Sequence, residues 1–272
     1  MPSYVITGVS RGLGFEFLRQ LSANTDNTIF GLVRDKATTD SKVQAELSGR
    51  QNIHIIEADQ TDHEALKKAA DYVAAATGGS IDYIIVNAAI ASKWSSLADF
   101  GELSEDTPRL QRELIDTFNV NVVGPIDVFN VFVPLLLKGD TKKAIAISTG
   151  LADRDLTVEY DIDVAAPYAI SKAALNMAIA KFSALYRSQG ILFMAISPGV
   201  VNTDMNYSGE TEAQQKKAGQ LVSSFLKYQP NFKQADTPQD SVKSVLSVIE
   251  NSSVEGGQAG AFLSHFGTKR WL

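Results

Sequence analysis

Tyr4-Val5-Ile6-Thr7-Gly8-Val9-Ser10-Arg11-Gly12-Leu13-Gly14 stands at the start of the chain, and its reading decides the fold. Tyr4–Thr7 is a short, unbroken apolar run, the pattern of a strand covered on both faces. Glycines follow at G-x-x-x-G-x-G spacing, and a helical pattern begins at Leu13 and runs to Ser22. Glycine lets the backbone turn tightly and lets a ligand approach it closely. A helix N-terminus adds unpaired N–H groups and the positive end of a dipole. Strand, glycine turn and helix in this order make a cradle for a pyrophosphate. Alone, such a turn is also a plain tight connection.

Working outward, short apolar runs alternate with helical patterns. Strands are expected at Tyr4–Thr7, Thr28–Val33, Ile53–Glu57, Tyr83–Val86, Ala144–Ser148, Leu192–Ser197 and Ala261–Leu263. Helices are expected at Leu13–Ser22, Asp62–Ala76, Pro108–Val131, Ala165–Arg187 and Thr237–Ile249. Alternation of this kind gives right-handed βαβ units. The expectation is one α/β domain over residues 1–272, with a doubly wound parallel sheet of Rossmann type and seven strands. Two regions break the pattern. Ala91–Thr107 is polar and irregular, and residues 202–235 form a long polar insertion with helical character in Thr211–Leu226. Ligands bind beyond the carboxyl ends of such strands, so both regions are candidate pocket walls.

Composition narrows the function. The chain has 272 residues, 44% hydrophobic, with a net charge of −6 and no cysteine. Disulfides, thiolate metal sites and cysteine nucleophiles are therefore excluded. His54, His63 and His265 are scattered, so no metal is expected. No basic run could neutralise a phosphate backbone, which speaks against nucleic acid as a partner. No leader-like segment precedes Tyr4, and the longest apolar stretches fall short of a membrane span of about 20 residues. A cytoplasmic, membrane-free protein is the expectation.

The second strand ends at Val33 and is followed by Arg34. An acid near this point would hold the ribose hydroxyl of NAD. A guanidinium there can instead fork onto the 2′-phosphate of NADP, and Arg11 in the glycine turn can reach the same region. The two arginines favour NADP (NADPH). Asp35, directly after Arg34, could draw the ribose hydroxyl instead.

Tyr168-Ala169-Ile170-Ser171-Lys172 places a phenol and an ammonium four residues apart, on one face if the segment is helical. A phenol with a pKa of about 10 is a poor proton donor and acceptor at neutral pH. A neighbouring ammonium favours the phenolate and lowers that value, suiting the pair to carbonyl and alcohol chemistry. Alone, this spacing also fits an ordinary surface pair on a helix.

It is not alone. Thr7–Gly14, Asn87-Ala88-Ala89, Asn121-Val122-Val123-Gly124, Ile147-Ser148-Thr149, Tyr168–Lys172 and Pro198-Gly199-Val200-Val201-Asn202-Thr203-Asp204-Met205 occur in this order. The series, spanning residues 3–205, resembles the short-chain dehydrogenase/reductase family in its one-domain branch. Its wording is similar to the sniffer-type carbonyl reductases and to the fungal norsolorinic-acid ketoreductase-like members.

The resemblance implies an oxidoreductase that transfers hydride from NADPH to a ketone or aldehyde of an apolar small molecule. It implies Tyr168 as proton donor, Lys172 as the group that tunes it and bonds the nicotinamide ribose, and Asn121 as holder of a water-linked proton path. A hydroxyl orienting the substrate oxygen falls on Thr149, with Ser148 as the alternative. Coenzyme contacts fall on Gly8, Ser10, Arg11, Gly12, Leu13, Gly14, Arg34, Asp59, Gln60, Asn87, Ala88, Ala89, Tyr168, Lys172, Pro198, Gly199, Val201 and Thr203. Ala89 departs from the family's glycine. Asp59 is equally readable as an acid at a helix start beside Thr61-Asp62.

Thr149 and Tyr168 stand further apart than is usual in the family, and the acid-rich segment Asp153–Asp163 between them is expected to loop at the pocket mouth. Trp94 and Tyr207 are the best candidates to line that pocket. The family's pairing of long helices implies a homodimer or homotetramer, with Leu110, Leu114, Phe118, Leu175, Ile179 and Phe182 as candidate interface residues; the alternative is that they face the sheet. Two competing readings are an NAD-dependent alcohol dehydrogenase and a non-catalytic NADP-binding regulatory module, the latter normally lacking the Tyr or the Lys.

Overall fold

The computed structural model describes residues 1–203 and 211–272. Seven strands, β1 (Ser3–Thr7), β2 (Thr28–Val33), β3 (Ile53–Glu57), β4 (Tyr83–Val86), β5 (Lys143–Ile147), β6 (Leu192–Ser197) and β7 (Phe262–Ser264), form one parallel sheet. Their order is β3-β2-β1-β4-β5-β6-β7. The order reverses between β1 and β4, and a crevice opens at such a switch point beyond the carboxyl ends of the strands.

Helices cover both faces. α1 (Gly12–Leu21), α2 (Lys36–Glu46) and α10 (Pro238–Glu250) lie on one side. There Phe15, Phe17, Leu18, Val242 and Val245 pack with Ile6, Ile29, Ile85 and Ile145 from the strands. α3 (His63–Thr77), α6 (Gly124–Leu136) and α8 (Ala166–Tyr186) lie on the other. There Leu66, Val73, Phe129, Phe132, Leu175 and Ile179 pack with Val5, Phe30, Ile84 and Phe193. Both faces being covered explains the unbroken apolar strands. The remaining helices, α4 (Phe100–Leu103), α5 (Thr107–Phe118), α7 (Arg154–Glu159) and α9 (Glu212–Tyr228), lie in the connections that follow β4, β5 and β6.

The expected long helix Pro108–Val131 is instead two. α5 ends at Phe118, a single wide turn occupies Asn119–Val123, and α6 carries on to Leu136. Pro125 has no N–H, so it cannot satisfy the Asn121 carbonyl four residues back in an ordinary turn, and the helix widens there. α2 was not foreseen, because only Thr39 of its length is buried and no apolar period marks it. Within the expected loop 153–163, Asp153 accepts the Leu156 N–H at 2.8 Å and starts α7.

The helical run Phe100–Leu136 is long enough, and contains a window apolar enough, to cross a membrane, which the short apolar stretches of the sequence did not suggest. Half of its apolar window is buried inside the protein, as a core helix requires. Leu175 and Ile179 are fully buried, and Phe182 stacks on Phe193 with ring centroids 5.1 Å apart. These three therefore face the protein's own core. Exposed apolar side chains on α5, the wide turn and α8 include Ile115, Phe118, Val123, Ile170, Met177 and Leu185.

Candidate active site

The glycine turn forms as its sequence demands. Gly8 and Gly12 adopt φ of 73° and 56°, where side chains are strained. A Cβ on Gly14 would lie 2.0 Å from the Gly8 carbonyl oxygen, so only glycine closes the turn. The space over Gly12 is open, the nearest atom to a Cβ there being Thr203 Cγ2 at 4.0 Å. The loop after β6 thus faces the turn across a gap at the head of α1. Arg11, the α1 N-cap residue, gives the first-turn N–H groups no side-chain acceptor. Open space, a helix N-terminus and glycine-only backbone fit a pyrophosphate. Gly14→Ala is expected to destabilise the protein by about 1–3 kcal/mol through overpacking. Thermal unfolding reads this directly, and an unchanged midpoint would contradict the packing described.

Thr7, which the sequence reading did not single out, ties this turn to the loop after β4. Its hydroxyl accepts the N–H groups of Asn87 (3.1 Å) and Ala88 (3.0 Å). Asn87 Nδ2 donates back to the carbonyls of Thr7 (3.1 Å) and Gly8 (3.3 Å). Gln60 Nε2 donates to the carbonyls of Ala88 (3.1 Å) and Val120 (2.7 Å), so its side chain joins loops rather than facing outward. Asp59 Oδ1 accepts the N–H and hydroxyl of Thr61 in a turn ahead of α3, while the helix itself is capped by Asp62, which accepts the Ala65 N–H at 3.1 Å. Ala89 is exposed beside Ala88, and Leu13 packs partly into the core below the turn.

Arg34 is exposed at the end of β2, and Ser10 and Arg11 are exposed at the end of β1. Asp35 is committed elsewhere. It caps α2, taking the Thr38 N–H at 2.9 Å and the Thr38 hydroxyl at 2.6 Å, and these bonds hold its carboxyl below the usual range. Lys42 Nζ lies 3.4 Å from the Ser10 carbonyl, adding positive charge beside the turn.

α8 delivers Tyr168 and Lys172. Pro167 in its first turn fixes the start, and Ala165 just before it takes φ 57°, an uncommon value for a residue other than glycine. Tyr168, Ser171, Lys172, Leu175 and Ile179 form its buried stripe, at helical spacing. The Lys172 ammonium is 5.9 Å from the Tyr168 ring centroid and donates to the Ile147 carbonyl at 2.8 Å. Lys172 is only 2% exposed, and desolvation pulls its pKa from the ordinary lysine value to about 7.

Asn121 is fully buried in the wide turn. Its amide donates to the Ile90 carbonyl (2.8 Å) and the Ser171 hydroxyl (3.0 Å) and accepts the Ile90 N–H (2.8 Å). Ser171 in turn donates to the Tyr168 carbonyl at 2.7 Å. Only its place inside the Tyr–Lys motif could have flagged Ser171. The Ser148 hydroxyl donates to Asn176 Oδ1 at 2.7 Å, on the α8 side. Thr149 Oγ1 accepts the Leu151 N–H at 3.3 Å, capping the turn Gly150–Ala152.

Gly199, with φ 83°, lies against buried His265: a Cβ there would come within 2.6 Å of its ring. Pro198 is buried and its carbonyl accepts the Ser241 hydroxyl at 2.7 Å. Val201 bridges to Asp236. Trp94 carries the Arg109 guanidinium 4.2 Å over its ring. Tyr207 lies outside the described residues. The arrangement gathers the loops after β1, β2, β4, β5 and β6 at the carboxyl edge of the sheet, the place where such sheets bind their ligands.

A family model described as short chain dehydrogenase matches residues 3–214. Short chain dehydrogenase virK of Hypocrea virens is 51% identical over 100% of both chains. The NADPH-bound carbonyl reductase from chicken fatty liver superposes with a TM-score of 0.78 at 26% identity, covering 98% of each chain. The carbonyl reductase Sniffer of D. melanogaster gives a TM-score of 0.77 at 24% identity, again over 98% of each chain, and so bears on the fold.

Proposed function

The chain belongs to the short-chain dehydrogenase family, and from that premise we propose that it is an NADPH-dependent reductase of ketones or aldehydes carried by apolar small molecules. It is an oxidoreductase acting with a nicotinamide coenzyme on a small-molecule substrate, as the family is. The observation that carries the finer reading is the buried Lys172 ammonium beside the Tyr168 ring. A structural lysine gains nothing from such burial, whereas a proton relay needs a group poised near neutral pH.

In this reading Gly8, Gly12 and Gly14 hold the pyrophosphate against the head of α1. Ser10, Arg11 and Arg34 face the adenosine end, with the backbone of Asp59, Gln60, Asn87, Ala88 and Ala89 beside it. Pro198, Gly199, Val201 and Thr203 face the nicotinamide. When bound, NADPH supplies the hydride that reaches the carbonyl carbon. Tyr168 gives its phenolic proton to the substrate oxygen. Lys172 favours the phenolate left behind and bonds the nicotinamide ribose. Asn121 keeps the wide turn closed against α8, and with Lys172 it lines the path by which a proton returns. Thr149, whose hydroxyl accepts the Leu151 N–H, keeps its own proton to donate to the substrate oxygen. Ser148 is turned toward Asn176, which supports Thr149 for that role.

The choice of NADPH is supported by Arg34 and by the commitment of Asp35 to its helix cap. The chicken reductase, bound to NADPH, is consistent with it. Arg34→Ala is expected to weaken NADPH binding about tenfold or more, through loss of a forked charge-assisted contact. NADH binding should hardly change. Fluorescence titration of both coenzymes checks this, and tighter binding of NADH by the unaltered protein would remove the NADPH assignment. A second copy of the chain is the proposed partner, seated on the exposed Ile115, Phe118, Val123, Ile170 and Met177.

A further inference from the structure

The two irregular regions 91–107 and 202–235 and the acid-rich segment 153–163 follow the carboxyl ends of β4, β6 and β5, around the end of the sheet where Tyr168 lies. One side chain joins all three. Lys217 on α9 reaches Asp99 Oδ2 at 2.6 Å and Asp163 Oδ2 at 2.8 Å. Asp99 stands in the segment after β4, where its other oxygen caps α4 by accepting the Glu102 N–H at 3.0 Å. Asp163 stands in the segment after β5, five residues before Tyr168. The Lys217 side chain is 17% exposed, whereas Glu212, Ala213, Gln215 and Lys216 around it are exposed.

α9 is held differently along its length. Its second half is held by apolar packing: Leu221 and Phe225 are buried with Leu156, Ile162, Val164 and Trp271. Its first half, 212–218, is mostly exposed and buries no apolar side chain. Gly219 separates the two. A Cβ at Gly219 would meet nothing within 4 Å, so packing does not require glycine there, and glycine weakens a helix at that point.

We infer that Lys217 is a positioning residue for substrate: its ammonium pins the first half of α9 to both walls of the crevice, and Gly219 is the joint about which that half swings when the pins release. The pinned position sets the shape of the pocket beside Tyr168. The inference rests on the carbonyl reductase reading for its substrate but not for the pin itself. The Asp99 and Asp163 bonds hold the Lys217 proton more firmly than an ordinary lysine would, so the pin carries charge throughout the neutral range.

The test compares the unaltered protein with Lys217→Met, Lys217→Arg, Asp163→Asn and Gly219→Ala. Backbone hydrogen exchange is followed by mass spectrometry, and NADPH-driven reduction is followed with 4-nitrobenzaldehyde and with a bulky aryl ketone such as benzophenone. Lys217→Met should speed exchange over 212–218 about tenfold while 221–228 is unchanged, because local opening follows local contacts. It should raise KM for the ketone about fivefold with kcat within about twofold, and leave the NADPH dissociation constant unchanged. Lys217→Arg should restore both readings. Asp163→Asn, at an exposed position that leaves Lys217 in place, should shift both in the same direction by less. Gly219→Ala should slow exchange over 212–218. Unchanged exchange in Lys217→Met, or a fall in kcat with KM unchanged, overturns the inference. If the unaltered protein binds NADPH yet reduces neither carbonyl, the proposed function fails, while the exchange comparison still decides the pin.

Discussion

Tyr168→Phe is expected to lower carbonyl reduction about a thousandfold, the usual scale for losing a placed general acid. The ring is 8% exposed at the edge of the buried α8 stripe, and Phe keeps that packing. Folding should therefore survive, with an unfolding midpoint within a few degrees and an NADPH affinity within about twofold of the unaltered protein. The separation matters more than the loss alone. A variant that fails to fold would lose activity for the wrong reason. One that keeps full activity would remove the proton donor from the account.

Lys172→Met should reduce turnover by about a hundredfold or more while changing how stability depends on pH. In the folded protein, without coenzyme, burial sets the Lys172 pKa at about 7. In the unfolded chain it returns to the ordinary lysine value of 10.5. Between these values the unfolded state holds a proton that the folded state has shed, so stability contributed by this group rises with pH across that window. Below about pH 7 both states are protonated and the full cost of burying the charge is present. Met carries no such charge, though it leaves the Ile147 carbonyl without its donor, at about 1–3 kcal/mol. The unfolding midpoint of the unaltered protein, minus that of Lys172→Met, should therefore climb from about pH 6 to about pH 9. Parallel profiles would show that Lys172 is not desolvated.

What the sequence made legible follows from where burial is strong. β1 and the glycine turn could be read because their residues serve one geometry: apolar on both faces, then glycine where φ is positive or a Cβ has no room. The Tyr168–Lys172 spacing put both residues on one helix face, but by itself it also fitted a surface pair. The ordered series of motifs around it singled it out, and both residues lie in the buried stripe of α8. α2 was not, because it rests on the surface with only Thr39 buried. The break at Asn119–Val123 was written in Pro125, yet a proline near a helix middle reads equally as a kink or as an end. Asp35 was ambiguous because an acid after a strand can bind a ribose or cap the next helix, and only coordinates show Thr38 taking it. The Lys217 contacts join residues 118 and 54 positions apart, beyond any local pattern.

The central claim is that a hydride passes from a coenzyme cradled by the glycine turn to a carbonyl placed beside Tyr168. NADPH doubly deuterated at the hydride-bearing nicotinamide carbon, incubated with the protein and 4-nitrobenzaldehyde, tests it most directly. The account predicts one deuterium on the former carbonyl carbon of the alcohol product and a slowed reaction. An unlabelled alcohol, or an aldehyde left unchanged with the coenzyme bound, would contradict it.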